Sequence, residues 1–269
     1  MLRRALLAVA ATALAGCAHV ALPTPDFVLL GEIHDNAGHH QLRAQRLAAL
    51  LADGRPTAVV FEQMPAARND ALQAQQRQAP RDVEALVDAG QLDRKGWRWP
   101  LHQPLVQASL AGGARVLGGD LERNDLRRLM REGDAAWPAG PLALAGRTPW
   151  GEAEQQAMLK TIDEGHCGAL PPAMMEPMAR AQRARDATLA QTMLDARAAG
   201  AQRVVLIAGN GHVDRELAVP RYLEAAGIAP GRILAVAYEE PGQASRGRFD
   251  ERQHAAAVER EDPCKALKC

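Results

Sequence analysis

Five short apolar runs, at 27–31, 57–61, 115–118, 203–208 and 232–237, each closed by turn residues, constrain this chain more than any other feature. Near-continuous apolar stretches of that length mark strands covered on both faces. Between them, helical periodicity spans about 37–52, 66–90, 122–132, 151–163, 173–199 and 214–226. The alternation predicts an α/β fold, a mostly parallel central sheet flanked by helices. A helical insertion, about 121–202, separates the third and fourth core strands. The Gly/Pro-rich stretch 133–151 reads as a long surface loop or lid boundary.

Polar residues follow four of the five runs directly. Gly31, Glu32, His34 and Asp35 follow the first; Glu62 and Gln63 the second; Gly119 and Asp120 the third; Gly209, Asn210 and His212 the fourth. Carboxyl ends of parallel strands share one edge of a sheet, and ligands bind at that edge. The two G-x-x-H tetrads, Gly31 to His34 and Gly209 to His212, therefore converge with Glu62 on one pocket. On the first helix His40 shares a stripe with Ala44, Leu47 and Leu51 and faces inward, whereas His39 falls with Arg43 and Arg46 on the outer side. On the long helix near 173–199, Gln182 and Asp186 lie one turn apart on a stripe with Met175, Met178, Leu189 and Met193. A buried carboxylate there needs a partner, which is either a buried Arg or the strand-end site itself.

The N-terminus carries an address. Arg3 and Arg4 precede an apolar run ending in Leu14, Ala15, Gly16 and Cys17, the layout of a secretory signal closed by a lipobox-like tetrad. Residues 1–16 read as a lipoprotein signal peptide, 17–25 as a lipidated Cys17 with a Pro-containing tether, 26–240 as the α/β domain and 241–269 as a tail. The full chain has 32 basic and 32 acidic residues, so no basic field exists to hold nucleic acid, and the lipid rather than charge would keep the mature protein at a membrane. In a Gram-negative cell the expected place is the outer membrane, facing the periplasm. Cys167, Cys264 and Cys269 allow one disulfide and one remaining thiol in an oxidising compartment, and all three pairings stay open. The two serines, Ser109 and Ser245, lie in no G-x-S-x-G context, and no phosphate or dinucleotide loop occurs.

The segments GEIHDNAGHHQL, FEQM, GHCGALPPAMMEPMARAQRARDATLAQTM and IAGNGHV, taken in order, resemble the ChaN-like haem-binding lipoproteins of bacterial iron uptake, which belong to the wider Tiki/TraB-like superfamily. The resemblance runs from about residue 27 to 240. Asp120 stands where that family usually has Asn, and Trp97, Trp99 and His102 stand where many members have a Tyr after a Trp.

The resemblance implies non-covalent haem, or a related metalloporphyrin, with His166 or a neighbouring His as axial donor. His40, His34, His212, Gln182 and Asp186 would lie around the cofactor. His39 and the Met174, Met175 and Met178 cluster are further potential donors, although a methionine stripe is commonly core packing. No CxxCH tract occurs, so attachment is not of the c type. The wider superfamily implies a rival, a metal-dependent hydrolase in which His34, Glu62 and His212 hold Mn, Co or Zn and Glu32 serves as base. A metal-free version would use His34 as general base beside Glu32 or Glu62. A non-catalytic scaffold lipoprotein is the third reading. A homodimer and an outer-membrane uptake partner are compatible with the haem role, and the sequence decides neither.

If the N-terminal reading holds, mass spectrometry of protein taken from native membranes finds acylated Cys17 as the first residue. A soluble periplasmic product with unmodified Cys17 would refute it.

Overall fold

A computed structural model describes residues 24–261 and 264–265. The Cys17 tetrad, most of the tether and Cys269 lie outside the described residues. Six strands, β1 (Phe27–Leu30), β2 (Thr57–Pro65), β3 (Arg115–Asp120), β4 (Arg203–Ile207), β5 (Ile233–Glu239) and β6 (Glu251–His254), form one sheet in the order β3-β2-β4-β1-β5-β6. Every pairing is parallel. No helix among the described residues is long and apolar enough to cross a membrane.

The central strands are buried on both faces because alternate side chains feed two cores. Phe27, Leu29, Val60, Val204 and Leu206 face the long helix α8 (Pro172–Ala198) and α9 (Val219–Ala225). Val28, Leu30, Val59, Phe61, Val205 and Ile207 face α1 (Ala37–Leu51) and α4 (Gln103–Ala111). Each such side chain contributes about 1.5–3 kcal/mol on burial, which is why these runs carry no polar interruption until the strand ends. The insertion between β3 and β4 holds α5 (Arg123–Glu132), α6 (Ala139–Gly146), α7 (Glu152–Gly165) and α8. Helix α7 and α8 share a small core of Met158, Ile162 and Ala179, to which Met175 and Met178 add.

Four expectations are corrected. The stretch 66–90 is not one helix but α2 (Asn69–Gln78) and α3 (Val83–Ala89), because Pro80 interrupts it and Asp82 caps a new start by accepting the Ala85 N–H. The stretch 133–151 is not a bare loop. It contains α6, whose Leu144 and Ala145, with neighbouring Trp137, are buried in the core beside α8, apolar residues outweighing the local Gly and Pro. Helix α9 begins only at Val219, with Pro220 in its first turn. Strand β6, beyond residue 240, has an exposed polar pattern and gives no hydrophobic signal, yet it pairs with β5 from Val236 to Glu239.

Of the three cysteine pairings, the structure forms Cys167–Cys264, across 97 residues, which ties the tail to the turn between α7 and α8. Non-reducing peptide mapping should recover these two cysteines in one linked fragment. Cys264→Ser should lower unfolding stability by about 2–4 kcal/mol in denaturant titration, as removal of a long-range crosslink typically does.

Candidate functional site

Strand β4 lies between β1 and β2, so the loops leaving β1, β2 and β4 are neighbours at one edge of the sheet. Their approach is close enough to demand glycine. A Cβ on Gly31 would lie 2.1 Å from Asn210 Oδ1, and a Cβ on Gly209 would lie 2.9 Å from His34 Cε1. Each tetrad thus occupies the space that the other tetrad's glycine leaves open. Asn210 locks the arrangement by donating to the Tyr238 carbonyl (2.7 Å) and accepting its N–H (3.1 Å). Strand β2 pairs with β4 as far as Phe61 and shifts register against β3 between Phe61 and Pro65. In that irregular stretch Glu62 accepts the Gly209 N–H at 2.7 Å.

Two charge clusters result. The first centres on Glu32, 3% exposed. Its Oε1 lies 2.7 Å from His34 Nδ1 and 3.1 Å from His102 Nε2, while Oε2 lies 3.2 Å from His40 Nδ1 and is ion-paired with Arg43. Arg43 also donates to His40 Nδ1 (2.9 Å) and the Leu30 carbonyl (3.2 Å). Burial pushes His40 and His102 down to about 3, so both are neutral at ordinary pH. Burial also lowers Arg43, to about 9, which leaves it charged.

The outward placement of His39 and Arg43 is therefore corrected. Both are fully buried, and only Arg46 reaches solvent, where it pairs with Glu251. The buried face of α1 is wide enough to include them because Glu32 compensates the guanidinium, while His39 is satisfied by the Ile33 N–H (3.1 Å) and the Glu239 carbonyl (3.1 Å).

The second cluster centres on His212. Its Nδ1 lies 2.6 Å from Asp186 and its Nε2 lies 3.3 Å from Glu62, with the Gln182 amide 3.2 Å from Nδ1. Arg185 bridges Glu62 and Asp120, at 2.7 Å to each. Burial opposes the imidazolium of His212, but Glu62 and Asp186 outweigh it and push the group up to about 10. Burial raises Asp186 to about 6 against the pull of His212; with Glu62 as a second anion, the imidazolium–carboxylate form holds at neutral pH. Burial alone would raise Glu62 too, yet His212, Arg185 and His34 keep it well below the usual carboxylate range.

His34 is the exception among these histidines, with half its side chain exposed (50%). It opens on a cavity of about 800 Å³. Trp97 stands edge-on to its ring at 4.8 Å, Met64, Leu121 and Leu126 supply apolar wall, Glu62 and Arg185 lie beside it, and Arg68, Arg123 and Arg127 line the remainder. Desolvation lowers His34 below its ordinary 6.5, favouring neutral imidazole, and the bond from Nδ1–H to Glu32 leaves Nε2 as the free lone pair.

The structure thus gathers Glu32, His34, His40, Glu62, Gln182, Asp186 and His212 about one sheet edge, with His34 and Glu62 on the cavity and His40 and Asp186 behind it. His166 does not line the cavity. It ends α7, where its Nδ1 donates to the Ile162 carbonyl at 2.8 Å. Met174 is exposed, and Met175 and Met178 pack against α7. The only two tyrosines, Tyr222 and Tyr238, are buried and line no part of the cavity. Sequence reasoning missed Arg43, Arg185 and His102 as members of the site. The partner that Asp186 on its apolar stripe demanded is His212 of the strand-end site, while Arg185 beside it turns to Glu62 and Asp120.

The family model described as haem-binding uptake, Tiki superfamily, ChaN matches residues 20–223. Among solved structures, ChaN of Campylobacter jejuni, described with cofacial heme binding, is 16% identical with a TM-score of 0.68, over 82% of this chain and 84% of that one. A mutant erythromycin esterase in its open conformation is 14% identical with a TM-score of 0.43, over 80% and 70% of the two chains. The type III effector HopBA1 is 13% identical with a TM-score of 0.45, over 87% and 88%. At 16% identity the likeness to the Campylobacter jejuni protein is one of fold. No curated protein matches the chain. With three quarters of its length under the family model, the chain belongs to the haem-binding ChaN family of the Tiki superfamily.

Proposed function

We propose that the protein binds haem non-covalently in the cavity beside β2 and β4, with His34 Nε2 as the axial donor. The observation that carries this reading is the state of His34: half-exposed, biased to neutral imidazole, and fixed in one tautomer by Glu32. A carboxylate on the far nitrogen is the usual outer support of a metal-ligating histidine. The cavity volume falls within the roughly 300–1,000 Å³ of cofactor sites. Trp97, Leu121 and Leu126 offer apolar surface to a porphyrin face. Arg68 and Arg123 already pair with Glu122 and Asp93, whereas Arg127 has no ion pair among the described residues and suits a propionate. When bound, haem would supply an iron centre whose electronics the axial histidine sets. His166 is displaced as first-choice donor by its position outside the cavity.

The metal-hydrolase reading ranks second because its ligands are already committed. A metal there would have to displace contacts already made: His212 lies between Asp186 at Nδ1 and Glu62 at Nε2, and Arg185 already pairs with Glu62. Glu32, His40 and His102 also present donor atoms within 4.8 Å of one another, yet the Arg43 guanidinium bears on Glu32 there, as a built-in cation. Anchoring through Cys17 at the periplasmic face of an outer membrane belongs to the same proposal, as do a role in haem uptake or handling with a membrane partner and a dimer with facing ligands, like the cofacial heme described for Campylobacter jejuni ChaN.

Titration of the chain lacking residues 1–17 with haemin should give a sharpened Soret band. His34→Ala should weaken binding by about tenfold or more, and His166→Ala should leave it unchanged. Ligation needs the unprotonated ring, and His34 titrates below 6.5, so affinity should stay level from pH 8 to about 6.5 and fall only as the ring protonates at lower pH. Haemin binding no tighter than to an unrelated protein, together with Mn²⁺- or Zn²⁺-dependent peptide or ester hydrolysis that His34→Ala abolishes, would put the hydrolase first.

A further inference from the structure

The loop that presents His34 is held from outside by a segment beyond the matched family region, which ends at residue 223. After β6 the chain crosses back over the start of α1. The Ala255 N–H donates to the Glu239 carbonyl (3.1 Å), and the Ala256 carbonyl accepts from Asn36 Nδ2 (3.0 Å). Asn36 is also the N-cap of α1 and donates to the buried Glu240 (2.7 Å). Arg260 completes the attachment. Its Nε and Nη2 form a two-bonded fork on Asp35, at 3.0 and 2.9 Å, and its Nη1 and Nη2 reach Glu240 at 2.9 and 2.6 Å. Asp35 directly follows His34 in sequence and is flanked on its other side by Arg98 at 3.6 Å. Four residues after Arg260, Cys264 is bonded to Cys167.

Planar bidentate pairing fixes direction as well as distance, and the buried Glu240 holds the guanidinium in place.

We propose that residues 255–261 form a clasp in which Arg260 is a positioning residue for His34, and that the Cys167–Cys264 disulfide fastens it. The consequence for ligand rests on the haem reading above; the consequence for the loop does not. Two-electron reduction by a dithiol would convert the bridge to two thiols while the dithiol becomes a disulfide, removing the covalent tie and leaving the ion pairs and hydrogen bonds of the clasp.

The test compares the mature chain with Arg260→Ala, Arg260→Lys and Cys264→Ser, and with dithiothreitol-treated wild type. Three readouts are taken: amide hydrogen exchange of residues 31–39, the ring tautomer of His34 from long-range ¹H–¹⁵N correlations, and the haemin dissociation rate. In Arg260→Ala, exchange in the loop should rise by about tenfold while β1 and β4 amides stay protected, and His34 should lose its single Nδ1–H tautomer. Haemin should leave correspondingly faster. Arg260→Lys should restore part of each effect, because it keeps the charge without the fork. Cys264→Ser and the reduced protein should show the same changes in smaller degree. Unchanged exchange and tautomer in Arg260→Ala overturn the positioning role. Unchanged values in Cys264→Ser and the reduced protein overturn the fastening role. If the loop responds as described but haemin fails to bind even wild type, the clasp stands and the haem reading falls.

Discussion

The buried pairing of Glu32 with Arg43 is the constraint on which the site depends. A carboxylate with both oxygens out of water is tolerable only when its charge is compensated and its lone pairs are used, and Glu32 meets that requirement with the Arg43 guanidinium and the ring N–H groups of His34 and His102. Loss of either charged partner would strand the other in the core, at about 3–5 kcal/mol. The pairing also assigns the histidines. Arg43 donates to His40, so His40 must carry its proton on Nε2, which donates to the His34 carbonyl at 3.0 Å. The backbone of His34 is thereby tied to the same ion pair as its side chain.

The second network, around His212, does a different job. Arg185, His212, Glu62, Asp120 and Asp186 carry two cations against three carboxylates in a region nearly closed to water, and they join α8 to the ends of β2, β3 and β4. Because His212 spends both ring nitrogens on carboxylates, it has no lone pair to offer. The two tetrads, alike in sequence, are therefore unlike in chemistry: His34 is half-exposed with only Nδ1 bonded to a carboxylate, whereas His212 is buried with a carboxylate at each ring nitrogen. The difference comes from the carboxylates, one shared with a guanidinium on the first side and two facing a single imidazole on the second.

Much of this was legible in the residues because a parallel sheet leaves little choice about where its strand ends lie. Once 27–31, 57–61 and 203–208 were strands, Glu32, His34, Glu62 and His212 had to share an edge, and the burial of Asp186 followed from its stripe. What was not legible is the position of buried arginines. Helical periodicity assigns Arg43 to solvent, since its rule weighs hydrophobicity and has no account of a carboxylate delivered from a distant loop. His166 drew notice through its sequence neighbours, a turn and a run of methionines, but Met175 and Met178 pack α8 against α7 and His166 lies outside the cavity. Strand β6 and the segment after it were invisible for a related reason: polar residues on a sheet edge show no two-residue alternation of burial.

The glycines complete the argument about specificity of form. Gly31 and Gly209 are needed for what their absent side chains would strike, one against Asn210 and the other against the His34 ring. A G-x-x-H tetrad in this fold is thus half of a reciprocal fit: the glycine of each makes room for a polar residue of the other, and neither works alone. That reciprocity explains how one half-exposed imidazole can be held in a single orientation at the mouth of an open cavity. Its ring is bounded by Gly209 on one side and Trp97 on another, and its Nδ1 is taken by Glu32. Its Nε2 also lies beside Gly209, 3.1 Å from where a Cβ would stand, so a side chain at that position would crowd the one ring nitrogen that Glu32 leaves unused.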